Sequence, residues 1–132
     1  MLDKAVAQLL NTQINKELYS AYLYLDFANY YEEQGLAGFA HWYEIQAQEE
    51  RDHAMLFRRY LLNNGMAVTF AAVDKPENQF TSLPEPLAAG LEHERYVTSL
   101  IHTIYDAAYG AKDFRTMQFL DWFVKEQGEE ET

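Results

Sequence analysis

Glu50 and His53 stand three residues apart in a run free of glycine and proline, so a helix places both side chains on one face. A carboxylate and an imidazole so placed can hold a divalent cation or exchange a proton. Alone, such a pair is weak evidence, since solvated pairs of this spacing are common. Three further polar residues interrupt apolar stripes of helical period. Glu17 falls in the series Leu10, Ile14, Ala21, Tyr24 and Ala28; Glu94 falls in the series Leu87, Leu91, Val97, Ile101 and Tyr105. Gln127 follows Phe119 and Phe123 and precedes Glu130. Singly, each has a bland account as a boundary residue, with Glu17 paired to a lysine such as Lys16. Together they bring an oxygen ligand from each of four segments, and one imidazole, to inward-facing stripes. Burying four such groups costs free energy unless something pairs them. Oxygen donors with a single imidazole suit Fe(II), Fe(III) or Mn(II) rather than a soft metal. The spacing points to a metal site.

The elements that must position these residues are delimited by glycine (6) and proline (3), both sparse. The first helix runs from about Lys4 to Glu33, and Gly35 and Gly38 mark a short break. A second helix extends from about Phe39 to Asn63 and stops at Asn64-Gly65, a C-cap pair. Residues 66–83 carry β-branched and polar residues and Pro76, without helical period. Pro84 and Pro86 suit the opening turn of a third helix, which Gly110 ends. Asp113 is the N-cap of a fourth helix that continues to the chain end. The two short connections make helices one and two, and helices three and four, antiparallel neighbours. The long link between the pairs stretches, at ~3.3 Å per residue, past the ~45 Å of a 30-residue helix. It can therefore carry the chain back to the far end of the bundle. The expected architecture is all-α, an antiparallel four-helix bundle with one long crossover between helices two and three.

The 132 residues form one domain, residues 1–132, with 48% hydrophobic residues to fill its core. Ten basic against 21 acidic residues leave a net charge of −11, which repels phosphate backbones and anionic lipid and attracts cations. No nucleic-acid or membrane role is expected. The absence of cysteine excludes disulfides, thiolate metal sites and cysteine nucleophiles. Neither a targeting segment nor a run of ~18 apolar residues is visible, so a cytoplasmic location is expected.

Five stretches carry a family resemblance. They are Asn15-Lys16-Glu17-Leu18-Tyr19-Ser20-Ala21-Tyr22-Leu23-Tyr24, Gly38-Phe39-Ala40-His41-Trp42, Gln46-Ala47-Gln48-Glu49-Glu50 with His53-Ala54, Ala89-Gly90-Leu91-Glu92-His93-Glu94, and the run Phe119 to Gln127 followed by Glu129-Glu130. In this order they resemble the non-haem bacterial ferritins over essentially the whole chain. The resemblance implies a ferritin-like bundle that stores iron, acting as a ferroxidase that oxidises Fe(II) with dioxygen and deposits ferric oxide in a protein shell. It implies a first iron held by Glu17, Glu50 and His53. Glu50 would bridge to a second iron held by Glu94, with Gln127 close by. It further implies a third iron site at Glu49, Glu126, Glu129 and Glu130, and an electron-donating role for Tyr24. Trp122 is expected to serve packing.

Departures from related patterns narrow this reading. A second Glu-x-x-His on the fourth helix is missing, since the chain there reads Gln127-Gly128-Glu129-Glu130. A bacterioferritin-like fixed cofactor centre is thus not expected. Asp52 stands where the haem-ligating methionine falls, so no haem is expected. Met117 and Leu120 stand where animal ferritins line a three-fold pore with acidic residues. The rival from another class is a structural shell subunit or bundle without a working ferroxidase centre, which filled ligand positions disfavour. The fourth helix is short and ends on Glu129-Glu130-Glu131-Thr132, with carboxylates at the negative helix pole. This leads to the expectation that the end of the fourth helix and a fifth helix are missing. A complete chain of this family would form a 24-subunit cage, and a truncated one a smaller or looser assembly.

Overall fold

Asp3 opens the first helix. Its carboxylate accepts from the backbone N–H groups of Ala5 at 2.9 Å and Val6 at 3.2 Å, satisfying donors that have no partner within the helix. The structure, a computed structural model, describes residues 2–132. It contains α1 (Lys4–Glu33), α2 (Ala37–Asn63), α3 (Pro84–Gly110) and α4 (Phe114–Glu130). Three boundaries differ from the expected ones, the end of α3 among them. Gly38 lies inside the first turn of α2, and α4 stops at Glu130 instead of running to the chain end.

Three helices end in the same way. The N–H of Leu36 reaches the carbonyl of Tyr31, that of Met66 reaches Leu61, and that of Asp113 reaches Ala108. In each case the preceding residue bonds one turn back with a left-handed backbone: Gly35 (φ 76°), Gly65 (φ 73°) and Lys112 (φ 56°). Gly110, expected to end α3, is its last helical residue instead, and a lysine takes the position glycine holds in the other two. Asp113 then caps α4 through Thr116 N–H at 3.1 Å, so one residue closes one helix and opens the next.

The crossover is fastened along α1. Asn11 accepts from Thr69 N–H and donates to the Thr69 carbonyl, both at 3.0 Å, and Asn15 donates to the Ala72 carbonyl at 3.0 Å. Further on, Asn78 reaches Asp26, and the Tyr31 hydroxyl donates to the Leu83 carbonyl at 2.7 Å. The link therefore ascends α1 and delivers the start of α3 beside the end of α1, as the length argument required.

The core divides into two apolar clusters. One is built on Val6, Leu10, Ile14, Phe57, Val97, Ile101 and Phe123, the other on Tyr24, Phe27, Tyr31, Tyr43 and Ala47. Between them lies a polar layer. Glu17 sits between Ile14 and Ala21, Glu50 between Ala47 and Ala54, Glu94 between Gly90 and Val97, and Gln127 one turn beyond Phe123.

Candidate metal centre

Each residue of the polar layer occupies a position where helical period would put an apolar side chain. Glu17, Glu50, His53, Glu94 and Gln127 are 0–4% exposed, so all five expected positions face inward. The stripe expected for α3 is half right. Val97 and Ile101 are buried, but Leu87 and Leu91 are exposed at 43% and 36%, and Pro86 and Gly90 supply the inward positions of that first half. A Cβ built on Gly90 would already meet the Tyr43 hydroxyl at 3.2 Å and the Phe27 and Tyr24 rings at 3.6 and 3.9 Å, which leaves no space for a leucine there.

The ligand atoms converge. Glu17, Glu50 and His53 each offer one atom within 4.8 Å of the others, and so do Glu50, Glu94 and Glu130. Glu50 belongs to both groups and stands between them. His53 Nδ1 lies 3.6 Å from Glu50 Oε2 and 3.8 Å from Glu17 Oε2. Among the described residues, the buried side-chain atoms lacking a hydrogen-bond partner are Glu17 Oε2, both Glu50 oxygens and His53 Nδ1. Buried polar atoms are nearly always paired, and leaving one unpaired costs about 1–3 kcal/mol. Four such atoms in one spot fit a cation bound by oxygen and imidazole.

The remaining lone pairs are held in place. Gln13, one turn before Glu17, donates to Glu17 Oε1 at 3.2 Å. The Tyr24 hydroxyl donates to Glu94 Oε1, and Gln127 Nε2 donates to Glu94 Oε2 at 3.1 Å. Gln127 also reaches Thr98, whose hydroxyl lies 2.7 Å from Glu131. Gln13, Thr98 and Glu131 were not anticipated from sequence. Gln13 was within reach of the argument, standing four residues from Glu17 on the same face. Glu131 was not, because only the end of α4 against α3 brings it to Thr98.

Electrostatics point the same way. Burial works to raise Glu17, but the facing imidazole of His53 together with Glu50 and Gln13 outweighs it, and its carboxyl stays below the usual range. Burial alone would depress His53, yet Glu17 and Glu50 beside it raise it to about 11. Burial, with the Glu17 charge adding to it, pushes Glu50 well up despite His53. Burial raises Glu94 against the bonds from Tyr24 and Gln127. Glu130 rises to about 7, through burial first and then the charges of Glu94 and Glu49. Crowded carboxylates resist ionisation together, and a cation among them reverses that cost.

The residues expected to hold a third ion all line one pocket of about 480 Å³, with Glu94 and Tyr24 also in its wall. Glu49, Glu126 and Glu130 are half-buried there and Glu129 is exposed. As placed, only Glu130 joins a cation-holding group, the one shared with Glu50 and Glu94. The Trp122 ring stands edge-on to His53 at 5.5 Å while 47% of the residue stays exposed. Leu120 is buried in the core, so it does not line a surface pore. Asp52 is exposed and accepts from Gln48 at 3.0 Å. Among the described residues, no helix is long and apolar enough to cross a membrane.

Fold and site define a class: four-helix bundles with one long crossover that enclose a carboxylate–histidine cluster able to hold a cation. The profile of the family described as Ferritin-like domain matches residues 7–132. The chain is 40% identical over 131 residues to the bacterial non-heme ferritin of Campylobacter jejuni, covering 99% of this chain and 78% of that one. It is 37% identical to the bacterial non-heme ferritin of Staphylococcus saprophyticus, again over 99% and 78%. Among solved structures, the open pore ferritin of Archaeoglobus fulgidus superposes with a TM-score of 0.97 at 41% identity, over 99% of this chain and 81% of that one. This chain belongs to the ferritin family.

Proposed function

We propose that the chain is an iron-storing ferritin subunit that oxidises Fe(II) with dioxygen at the buried centre and deposits ferric oxide inside a shell of its own copies. The observation that carries this reading is the convergence of four unpaired buried ligand atoms from Glu17, Glu50 and His53. Iron is the substrate. Glu17, Glu50 and His53 hold one ion. Glu94 and Glu130 hold a second, with Glu50 shared between the two. Gln127 is neutral and orients Glu94. Hard oxygen ligands favour Fe(III) over Fe(II) and so make loss of an electron to dioxygen easier. Tyr24, hydrogen-bonded to Glu94, is placed to supply an electron and a proton. Glu49, Glu126, Glu129 and Glu130 make the neighbouring pocket a third, weaker ion site on the route to the mineral.

The test is aerobic addition of Fe(II) to metal-free protein, following ferric absorbance and oxygen consumption together, with light scattering for the assembly. Fast ferric absorbance matched by oxygen uptake supports the reading. Oxidation no faster than in buffer overturns it and leaves a structural shell subunit.

A further inference from the structure

We infer that Tyr24, Tyr43 and Trp42 form an electron-transfer chain linking the buried centre to the mouth of the acidic pocket, where a ferrous ion refills it. The inference rests on the dioxygen chemistry proposed above.

The inner end is Tyr24, 2% exposed, whose hydroxyl donates to Glu94 within the cation-holding group. An electron can leave this phenol while its proton crosses a hydrogen bond that already exists. The Tyr43 ring centre lies 5.6 Å from that of Tyr24, and the Trp42 ring meets Tyr43 edge-on at 4.9 Å. These rings touch, so no aliphatic gap separates the donors. Gly90 leaves room for the Tyr43 hydroxyl, which a Cβ there would crowd at 3.2 Å.

Among the rings packed on Tyr43, Trp42 is the productive exit. Tyr31 also stacks on Tyr43, at 5.9 Å and 8°, but it is 1% exposed and its hydroxyl donates to the Leu83 carbonyl. A backbone carbonyl is no base for the proton an oxidised phenol must lose. Phe27 touches both Tyr24 and Tyr43 but has no hydroxyl to oxidise. Trp42 is 52% exposed and lines the same pocket as Glu49, Glu126 and Glu129. The outer end therefore sits beside carboxylates suited to a ferrous ion.

Electrons and protons balance at each step. Tyr24 gives one electron to dioxygen being reduced at the centre and its proton to Glu94, leaving a neutral phenoxyl. Tyr43 then gives one electron to Tyr24, which takes its proton back from Glu94, and the Tyr43 proton passes to water in the pocket. Trp42 reduces Tyr43, which regains a proton from that water, and the indole N–H proton leaves to solvent. One Fe(II) at the pocket becomes Fe(III), and Trp42 recovers its electron and proton. The net change is one ferrous ion oxidised and one electron delivered to dioxygen, with the side chains restored.

The experiment mixes metal-free protein with limiting Fe(II) and excess oxygen in the presence of 2-methyl-2-nitrosopropane. Radical adducts are located by peptide mass spectrometry and normalised to ferric absorbance. The wild type is expected to carry the adduct on Trp42, and excess Fe(II) is expected to reduce it. Tyr43→Phe, which keeps the ring, is expected to lose the Trp42 adduct and to show a phenoxyl signal on Tyr24 by freeze-quench electron paramagnetic resonance. Tyr24→Phe is expected to lose the Trp42 adduct altogether. A Trp42 adduct that persists in either phenylalanine variant overturns the chain, as does an adduct confined to Trp122. Rapid iron oxidation without any Trp42 adduct overturns the chain alone. Absence of iron oxidation in the wild type overturns the proposed function and the chain with it.

Discussion

His53 Nδ1 lies 3.6 Å from Oε2 of Glu50, one turn earlier on α2, and neither atom has a hydrogen-bond partner. Two buried groups that face each other without bonding leave room for a third party. The rest of the layer repeats the arrangement, since Glu17 Oε2 on α1 is aimed at the same spot and is equally unpaired.

Divalent ions should therefore stabilise the fold. Mn(II), or Fe(II) without oxygen, is expected to raise the melting temperature, with a gain of about 2.7 kcal/mol when the free ion is ~100 times its Kd. Glu50→Gln removes a buried carboxyl crowded by Glu17, so its metal-free form should melt higher than the wild type and respond less to the ion. Differential scanning calorimetry with and without ion checks both. An identical ion response in Glu50→Gln would remove Glu50 from the site.

Loss of a ligand should slow the chemistry while the fold survives. His53→Ala and Glu94→Ala are each expected to reduce the initial rate of ferrous oxidation by at least roughly tenfold, about 1.4 kcal/mol of barrier. Stopped-flow absorbance gives the rate and circular dichroism the helix content.

The acidic pocket should act later than the first burst. Glu126→Gln with Glu130→Gln is expected to change the ratio of iron oxidised to oxygen consumed. An oxygen electrode run against ferric absorbance decides it, and an unchanged ratio removes the pocket from the reaction.

Glu130 predicts a pH dependence. Its carboxyl rises from an ordinary 4.5 to about 7 in the folded chain, through burial and then the Glu94 and Glu49 charges. The folded state holds this proton more tightly than the unfolded one. The contribution is therefore present in full below pH 4.5 and is lost as pH climbs through about 7. Glu50 and Glu94, also raised, act with the same sign. His53 loses its contribution higher, from pH 6.5 to about 11. Metal-free stability should fall from pH 4.5 to 7, less steeply in Glu130→Gln, while divalent-ion affinity rises as the competing proton leaves. Melting curves and ion titrations across that range test both slopes.

Two backbone positions should tolerate improvement. Lys112 holds φ 56° at the position Gly35 and Gly65 occupy elsewhere, so Lys112→Gly should stabilise by about 1 kcal/mol. Gly128 lies within α4 with nothing within 4 Å of an added Cβ, and Gly128→Ala should give about as much. Urea denaturation reads both; a loss of stability in Lys112→Gly would mean that the lysine side chain contributes more than its backbone costs.

Sequence alone determined the four helices, their pairing, the crossover and the five buried polar positions. All of these follow from short-range physics: helical period decides which face is buried, and a carboxylate on that face stands out against its neighbours. Glu17, Glu50, His53 and Glu94 were legible because each breaks an apolar series. What sequence could not supply is what depends on relative depth and rotation between helices. The inward face of α3 near its start passed from Leu87 and Leu91 to Pro86 and Gly90 because Tyr24 and Phe27 of α1 and Tyr43 of α2 fill that space. Glu130 joined Glu50 and Glu94, Gln127 became a donor to Glu94, and Trp122 came to stand against His53 only once α4 was laid across the bundle. A period of 3.6 residues fixes an angle on one helix, whereas distances between side chains on different helices are set by how the whole core packs.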